Sequence, residues 1–136
     1  MIAIEDKTIH ITRGDATNEF NRLTFCFPYY DKEIGTEKNY KFQLTDKISF
    51  IVFEKRGYTK CEILRKDFTL ADIGYTEPTE TPEIPLTAED TKKFPLINKA
   101  KTYWYDIVLN DTTTILGYDN EGAKKVIVYP AAEGSD

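Results

Sequence analysis

Short runs in which apolar and polar residues alternate are the feature that most restricts the fold of this chain. They occupy residues 8–13, 22–27, 60–68, 102–109, 113–118 and 124–129, and a further strand-like run at 47–55 is apolar on both faces, as in a central strand. A period of two is typical of strands with one buried face, and the turn-forming residues between the runs favour tight connections, one of them around Gly57. The pattern predicts an all-β protein, an immunoglobulin-like antiparallel β-sandwich of seven to nine strands.

Two local signals refine this prediction. The connections at 110–112 and 119–122 are short enough to close hairpins, so the last three strands are expected to form an antiparallel meander. Thr87 followed by Asp90 matches a helix capping box. We therefore expect one short helical turn near residues 87–94.

The length of 136 residues suits one domain, 1–136. Residues 75–85 contain three prolines and three glutamates. A domain boundary there would leave a small second unit, so we interpret 75–85 as a long loop that crosses between the sheets. Residues 131–136 are expected to form a flexible tail.

Composition and charge limit the function classes. The formal net charge of −5, without a basic stripe, argues against nucleic-acid binding. No apolar run approaches the ~20 residues of a membrane helix, and the first ten residues do not match a signal peptide. Cys26 and Cys61 are too far apart for a metal motif and are expected to be buried free thiols.

Residues that could perform catalysis are few. His10 is the single histidine and belongs to an alternating strand, where a solvated role is expected. The Arg13–Asp15 triplet RGD and the calcium-loop fragment DNEG at 119–122 are both explained by turn chemistry. We predict no catalytic residue, no metal site and no cofactor, and hence no enzyme.

Exposed aromatic residues leave a binding function open. Tyr29 and Tyr30 are placed by the pattern in a loop just after a strand, where they could form a platform for a sugar ring. They could equally cover one end of the sandwich. A carbohydrate-binding or cell-surface immunoglobulin-like module is therefore the alternative hypothesis.

The stretch KTYWYDIVLN, 101–110, places an aspartate inside a strand. Alternation assigns Tyr103 and Tyr105 to the core face, and Asp106 to a second, partly covered face with Trp104 and Val108. A carboxylate in such a place persists when it accepts hydrogen bonds or pairs with a cation. We interpret Asp106 as a structural residue.

Two resemblances follow from these motifs. The helical turn TAED, followed by a strand that opens with Tyr, resembles the corner that enters strand F of immunoglobulin-like sandwiches, where a tyrosine hydroxyl bonds back to the corner backbone. The order ITRGD, KFQLTDKISFIVFE, LTAEDTKKF and YWYDIVLNDTTTILG resembles the N-terminal domain of baseplate upper proteins from phages of Gram-positive hosts, and related small phage and prophage structural proteins.

The second resemblance spans nearly the whole chain. The matched positions are expected to be structural and are Gly14, Asp15, Glu89, Asp90, Thr91, Tyr103, Tyr105, Asp106 and Ile107. The chain departs from the family pattern at Thr45–Asp46–Lys47, where the family has Gly-Asp, and in a longer corner before residue 101.

The resemblance to phage proteins implies a function in the virion. It implies a non-enzymatic tail or baseplate module that docks to other virion proteins, supports a receptor-binding component and is itself a homo-oligomer. Such a protein would be made in the cytoplasm of the bacterial host and would bind neither nucleic acid nor membrane.

Overall fold

The computed structural model describes residues 1–55 and 61–131. Within them the strands are β1 (Ile2–Glu5), β2 (Thr8–Thr12), β3 (Pro28–Asp31), β4 (Thr36–Asn39), β5 (Lys47–Phe53), β6 (Glu62–Thr69), β7 (Lys101–Leu109), β8 (Thr113–Leu116) and β9 (Lys124–Tyr129). A 3-10 turn at Ala71–Ile73 and the helical turn α1 (Ala88–Thr91) complete the described elements. The predicted all-β sandwich with a helical turn near 87–94 is confirmed. The predicted turn around Gly57 and the tail after residue 131 lie outside the described residues.

The strands form two sheets of unequal size. The larger has the order β1-β2-β9-β7-β5-β6, with β8 beside β7, and the smaller consists of β3 and β4. Strands β5 and β7 run antiparallel at the centre, from Ile48 opposite Leu109 to Phe53 opposite Trp104. Strands β2 and β9 are parallel, which is the exception to the predicted antiparallel pairing.

The prediction of a terminal meander is wrong. Strand β9 pairs with residues 101–105 of β7, and β8 pairs with residues 107–109 of the same strand. A nine-residue strand is long enough for two short strands to lie end to end along one edge, so β8 and β9 never become neighbours in the sheet.

Sequence alternation also misplaced some strands at the edges. Residues 22–27 do not form a strand; Thr24 makes a single bridge to Glu83. The pattern missed β1, which turns into β2 through Asp6 and Lys7, both at positive φ. Two residues of left-handed backbone suit the twist of a two-residue hairpin, but lysine is an unusual residue in that turn.

The core lies between one face of the larger sheet and a second layer. From the sheet come Tyr103, Tyr105 and Phe50, all without exposed surface. The second layer is largely irregular and contributes the buried residues Leu23, Phe25, Phe42, Ile84 and Leu86. The predicted core face of β7 is confirmed.

The proline-rich segment belongs to this second layer. Thr79 exchanges both backbone hydrogen bonds with Phe42, at 2.8 and 3.1 Å, and the Ile84 N–H donates to the Leu23 carbonyl at 2.8 Å. Residues 75–85 therefore pair with the segments beside them. The two free thiols differ from the prediction that both are buried. Cys26 is exposed, because its side chain points away from that of its buried neighbour Phe25, and Cys61 is half-buried. The prediction is therefore wrong.

Candidate functional site

The family-motif residues at positions 14–15 and 90–91 meet at one corner of the sandwich. Thr91, which is fully buried, accepts a hydrogen bond from the Gly14 N–H at 2.9 Å and donates one to the Asp15 carbonyl at 2.7 Å. Gly14 has a φ of 91°, a conformation that favours glycine. One hydroxyl thus joins the end of β2 to α1 across 77 positions of sequence.

Asp90 holds the other side of this corner. Its carboxylate accepts from the Thr87 N–H at 2.9 Å, and the Thr87 hydroxyl accepts from the Asp90 N–H at 3.0 Å, so the predicted capping box is present. The Lys66 ammonium lies 2.7 Å from the same carboxylate. Burial opposes ionisation here, but the bonds from Lys66 and Thr87 outweigh it and lower the pKa of Asp90.

The RGD triplet takes part in the same corner. Arg13 donates to the carbonyls of Phe94 at 2.8 Å and Lys92 at 3.1 Å, and the Asp15 carboxylate forms an ion pair with the amino group of Met1. Arg13 thus ties the end of β2 to the segment after α1, and Asp15 ties it to the N-terminus. The geometry supports the interpretation of RGD as turn chemistry.

The two motif tyrosines of β7 act within the core. The Tyr105 hydroxyl donates to the Lys7 carbonyl at 2.7 Å, and burial raises the pKa of Tyr105. The Tyr103 ring lies 5.1 Å from the Phe94 ring, and its buried hydroxyl has no hydrogen-bond partner among the described residues. The corner bond known from immunoglobulin-like strand F is therefore not made; the tyrosine bond goes to the β1–β2 turn.

Asp106 lies on the second face of β7, as predicted. It is half-buried, opposite Ile51 of β5. A Cβ atom on Gly117 would come within 2.8 Å of the Asp106 Oδ1 atom and 2.8 Å of the Thr114 Cγ2 atom. Glycine at 117 is thus what leaves room for the carboxylate.

A further carboxylate with several hydrogen bonds lies in the segment where the chain departs from the family pattern. Asp46, only 9% exposed, accepts from the Tyr40 hydroxyl at 2.7 Å, the Gln43 N–H at 2.8 Å and the Asn110 side-chain amide at 3.0 Å. Burial alone raises its pKa, but these three bonds prevail and lower it. The hydrogen bond to Asp46, helped by burial, raises the pKa of Tyr40 to about 12.

The DNEG turn at 119–122 binds the side chain of Lys124, the first residue of β9. The Lys124 ammonium lies 2.8 Å from the Asp119 carboxylate and 3.1 Å from the Gly122 carbonyl. Lys124 is buried, and its hydrogen bond, with that of the Glu121 N–H, lowers the pKa of Asp119. The side chain of Lys124 thus uses the oxygens that gave this segment its likeness to a calcium loop.

Tyr29 and Tyr30 lie in strand β3, and the predicted loop at these positions is wrong. Their exposed fractions are 40% and 62%. Successive side chains of a strand point to opposite faces, and Tyr29 lies 6.4 Å from the Phe27 ring on its own side. The two rings therefore do not form one platform for a sugar.

His10 and Tyr129 form a polar pair on the outer face of the larger sheet. The Nδ1 atom of His10 is 2.8 Å from the Tyr129 hydroxyl, and the rings are stacked at 5.9 Å. Among residues 1–55 and 61–131, no group of three or more His, Cys, Asp or Glu side chains is arranged to hold a metal ion.

Comparison with known proteins adds no relative. No protein-family model matches the chain, no curated protein is significantly similar to it in sequence, and no solved structure matches its fold. In the described part of the chain, no helix is long and apolar enough to cross a membrane.

Proposed function

We propose that this protein is a non-enzymatic structural module of a phage tail or baseplate, made in the host cytoplasm, which docks to other virion proteins. The observation that carries the proposal is the corner built by the Thr91 hydroxyl with Gly14 and Asp15. These residues belong to the motifs on which the resemblance to baseplate proteins rests. Their meeting in space gives a physical reason for the spacing of the motifs.

The arrangement of charged groups supports a structural function for these positions. The carboxylates of Asp90, Asp46 and Asp119 each bind another segment of the same chain. Carboxylates held in this way fix the relative positions of strands and turns, because removing one leaves its donors without partners. A rigid scaffold is what a docking module needs.

An exposed hairpin supplies a surface for docking. Strands β3 and β4 form a sheet of two strands, and Tyr30 and Ile34 on this hairpin are 62% and 53% exposed. Large exposed apolar side chains on one protruding element are typical of protein–protein contacts.

Gene neighbourhood and co-expression test the proposal. We expect the adjacent genes to encode tail components, and at least one of their products to co-purify with this chain through size-exclusion chromatography. The control is the same co-expression with an unrelated secreted β-sandwich in place of this chain. Neighbours with no tail component, or no co-purification with any neighbouring tail protein, would contradict the proposal.

A further inference from the structure

The hairpin of β3 and β4, residues 28–39, is the least buried element of the described chain. Every residue in it except Asp31 is exposed. Three of its side chains are large and apolar or aromatic: Tyr29, Tyr30 and Ile34. A two-stranded ribbon is marginal in water and gains stability when a further strand or surface covers it.

The hairpin is nevertheless well ordered within itself. Asp31 pairs with Lys38 across the strands at 3.2 Å, and accepts from the Glu33 N–H at 2.9 Å. At its base the Tyr40 N–H donates to the Phe27 carbonyl at 2.8 Å, next to the core. The element is therefore an arm that is joined to the core at its base, with Ile34 in the turn at its tip.

A cleft lies at the base of the same arm. It has a volume of about 300 Å³, between the β1–β2 turn, the start of β3 and strand β8. Its apolar walls are Phe27, Pro28, Ile115 and Leu116, and the charged groups at its rim are Lys7 and Asp119. Asp119 is bonded to Lys124 at 2.8 Å, whereas Lys7 has a looser ion pair with Glu121 at 3.7 Å.

We propose that two folded copies of this chain associate through these arms, with Ile34 of each copy entering the cleft of the other. The inference deepens the proposed function, on which it rests, by naming the self-association surface of the module.

The geometry favours a second copy as the occupant. Pro28 begins β3 and lines the cleft, so the tip and the cleft lie at opposite ends of one hairpin. Two hairpins side by side in antiparallel orientation bring each tip to the base of the other. Both contacts then form around a single two-fold axis, and such an interface closes as a dimer.

The charges match in the same arrangement. Glu33, beside Ile34 at the tip, is exposed and carries the charge opposite to that of Lys7 at the rim. In the two-fold pair, Glu33 of one copy faces Lys7 of the other. Opposite charges at the rim of a contact fix its register and speed association.

Analytical ultracentrifugation over a range of protein concentrations tests the inference. We expect a reversible dimer in the unaltered protein, and a rise of at least about tenfold in its dissociation constant for Ile34→Asp, because a charge would have to enter an apolar cleft. The matched control is Leu96→Asp, which changes a side chain that is 74% exposed away from the arm. The control is expected to leave the dimer unchanged.

A charge exchange makes the test specific for the cleft. Glu33→Lys and Lys7→Glu should each weaken the dimer severalfold, and the two changes in one chain should restore it. All four side chains changed in these experiments are exposed, so thermal melting is expected to show an intact fold for every variant.

A monomer at every concentration, a dimer that Ile34→Asp leaves intact, or charge reversals that do not rescue each other would overturn the inference. The proposed function fails separately. A dimer that binds none of the neighbouring tail proteins would refute the proposed function and leave the contact between arms standing. A monomer that binds one of these proteins would refute the contact between arms and leave the proposed function standing.

Discussion

The hydroxyl of Thr91 offers the sharpest test of how the corner is held. Thr91→Val keeps the shape of the side chain but removes the oxygen that bonds to Gly14 and Asp15 at 2.9 and 2.7 Å. Both backbone groups are part-buried, and valine leaves them without this partner. A buried group left unsatisfied costs about 1–3 kcal/mol, so with partial exposure of both we expect a total of about 3 kcal/mol.

Thr91→Ser is the matched control. Serine keeps the hydroxyl and removes one fully buried methyl group, which costs about 1 kcal/mol. The free energy of unfolding, measured by urea denaturation, should therefore fall about three times as far for valine as for serine. In thermal melting, valine should lower the Tm by about 10 °C, given roughly 3–4 °C per kcal/mol for a domain of this size.

The opposite order of the two variants would refute this reasoning. If serine costs more than valine, packing of the methyl group holds the corner and the hydrogen bonds contribute little. A valine variant as stable as the unaltered protein would mean that Gly14 and Asp15 find other partners at no cost.

Three further predictions concern the other polar contacts. Asp46→Ala should reduce the free energy of unfolding by about 2–4 kcal/mol at neutral pH. Because the pKa of Asp46 is lowered in the fold, its contribution is complete above the ordinary carboxyl pKa of about 4 and is lost as the pH falls through the folded value. Urea denaturation curves of the two proteins should therefore converge in acid, and a difference in stability that persists there would contradict this prediction. Gly117→Ala should cost about 1–3 kcal/mol through overpacking against Asp106. Asp106→Ala alone should cost a similar amount. If the two costs simply add in a double-mutant cycle, the contact between the two positions is contradicted. Tyr105→Phe should cost about 1–2 kcal/mol, because the part-buried bond from the Tyr105 hydroxyl to the Lys7 carbonyl is lost. An unchanged melting temperature would show that this bond contributes nothing.

Local patterns in the sequence were sufficient for several elements. Alternation in β7 placed Tyr103 and Tyr105 in the core, and the spacing of Thr87 and Asp90 located the helical turn. These features depend on residues at most a few positions apart, so the relevant partners are already present in a short window of sequence.

Interactions between distant segments could not be predicted in this way. The bonds of Asp46 to Asn110 and of Arg13 to Phe94 link residues 64 and 81 positions apart. Nothing in the local pattern distinguishes these residues from other polar residues in turns. The resemblance to phage proteins pointed to Gly14 and Thr91, but their contact required the fold.

The amino-acid sequence by itself determined the all-β class, the face of β7 that is buried and the position of α1, because periodicity and capping are local. Only the tertiary structure decided that β8 and β9 share one edge of β7, and that β3 and β4 leave the main sheet as an exposed arm. Strand partners are chosen by competition among all segments for burial and backbone hydrogen bonds, and this competition is settled only when the chain is packed.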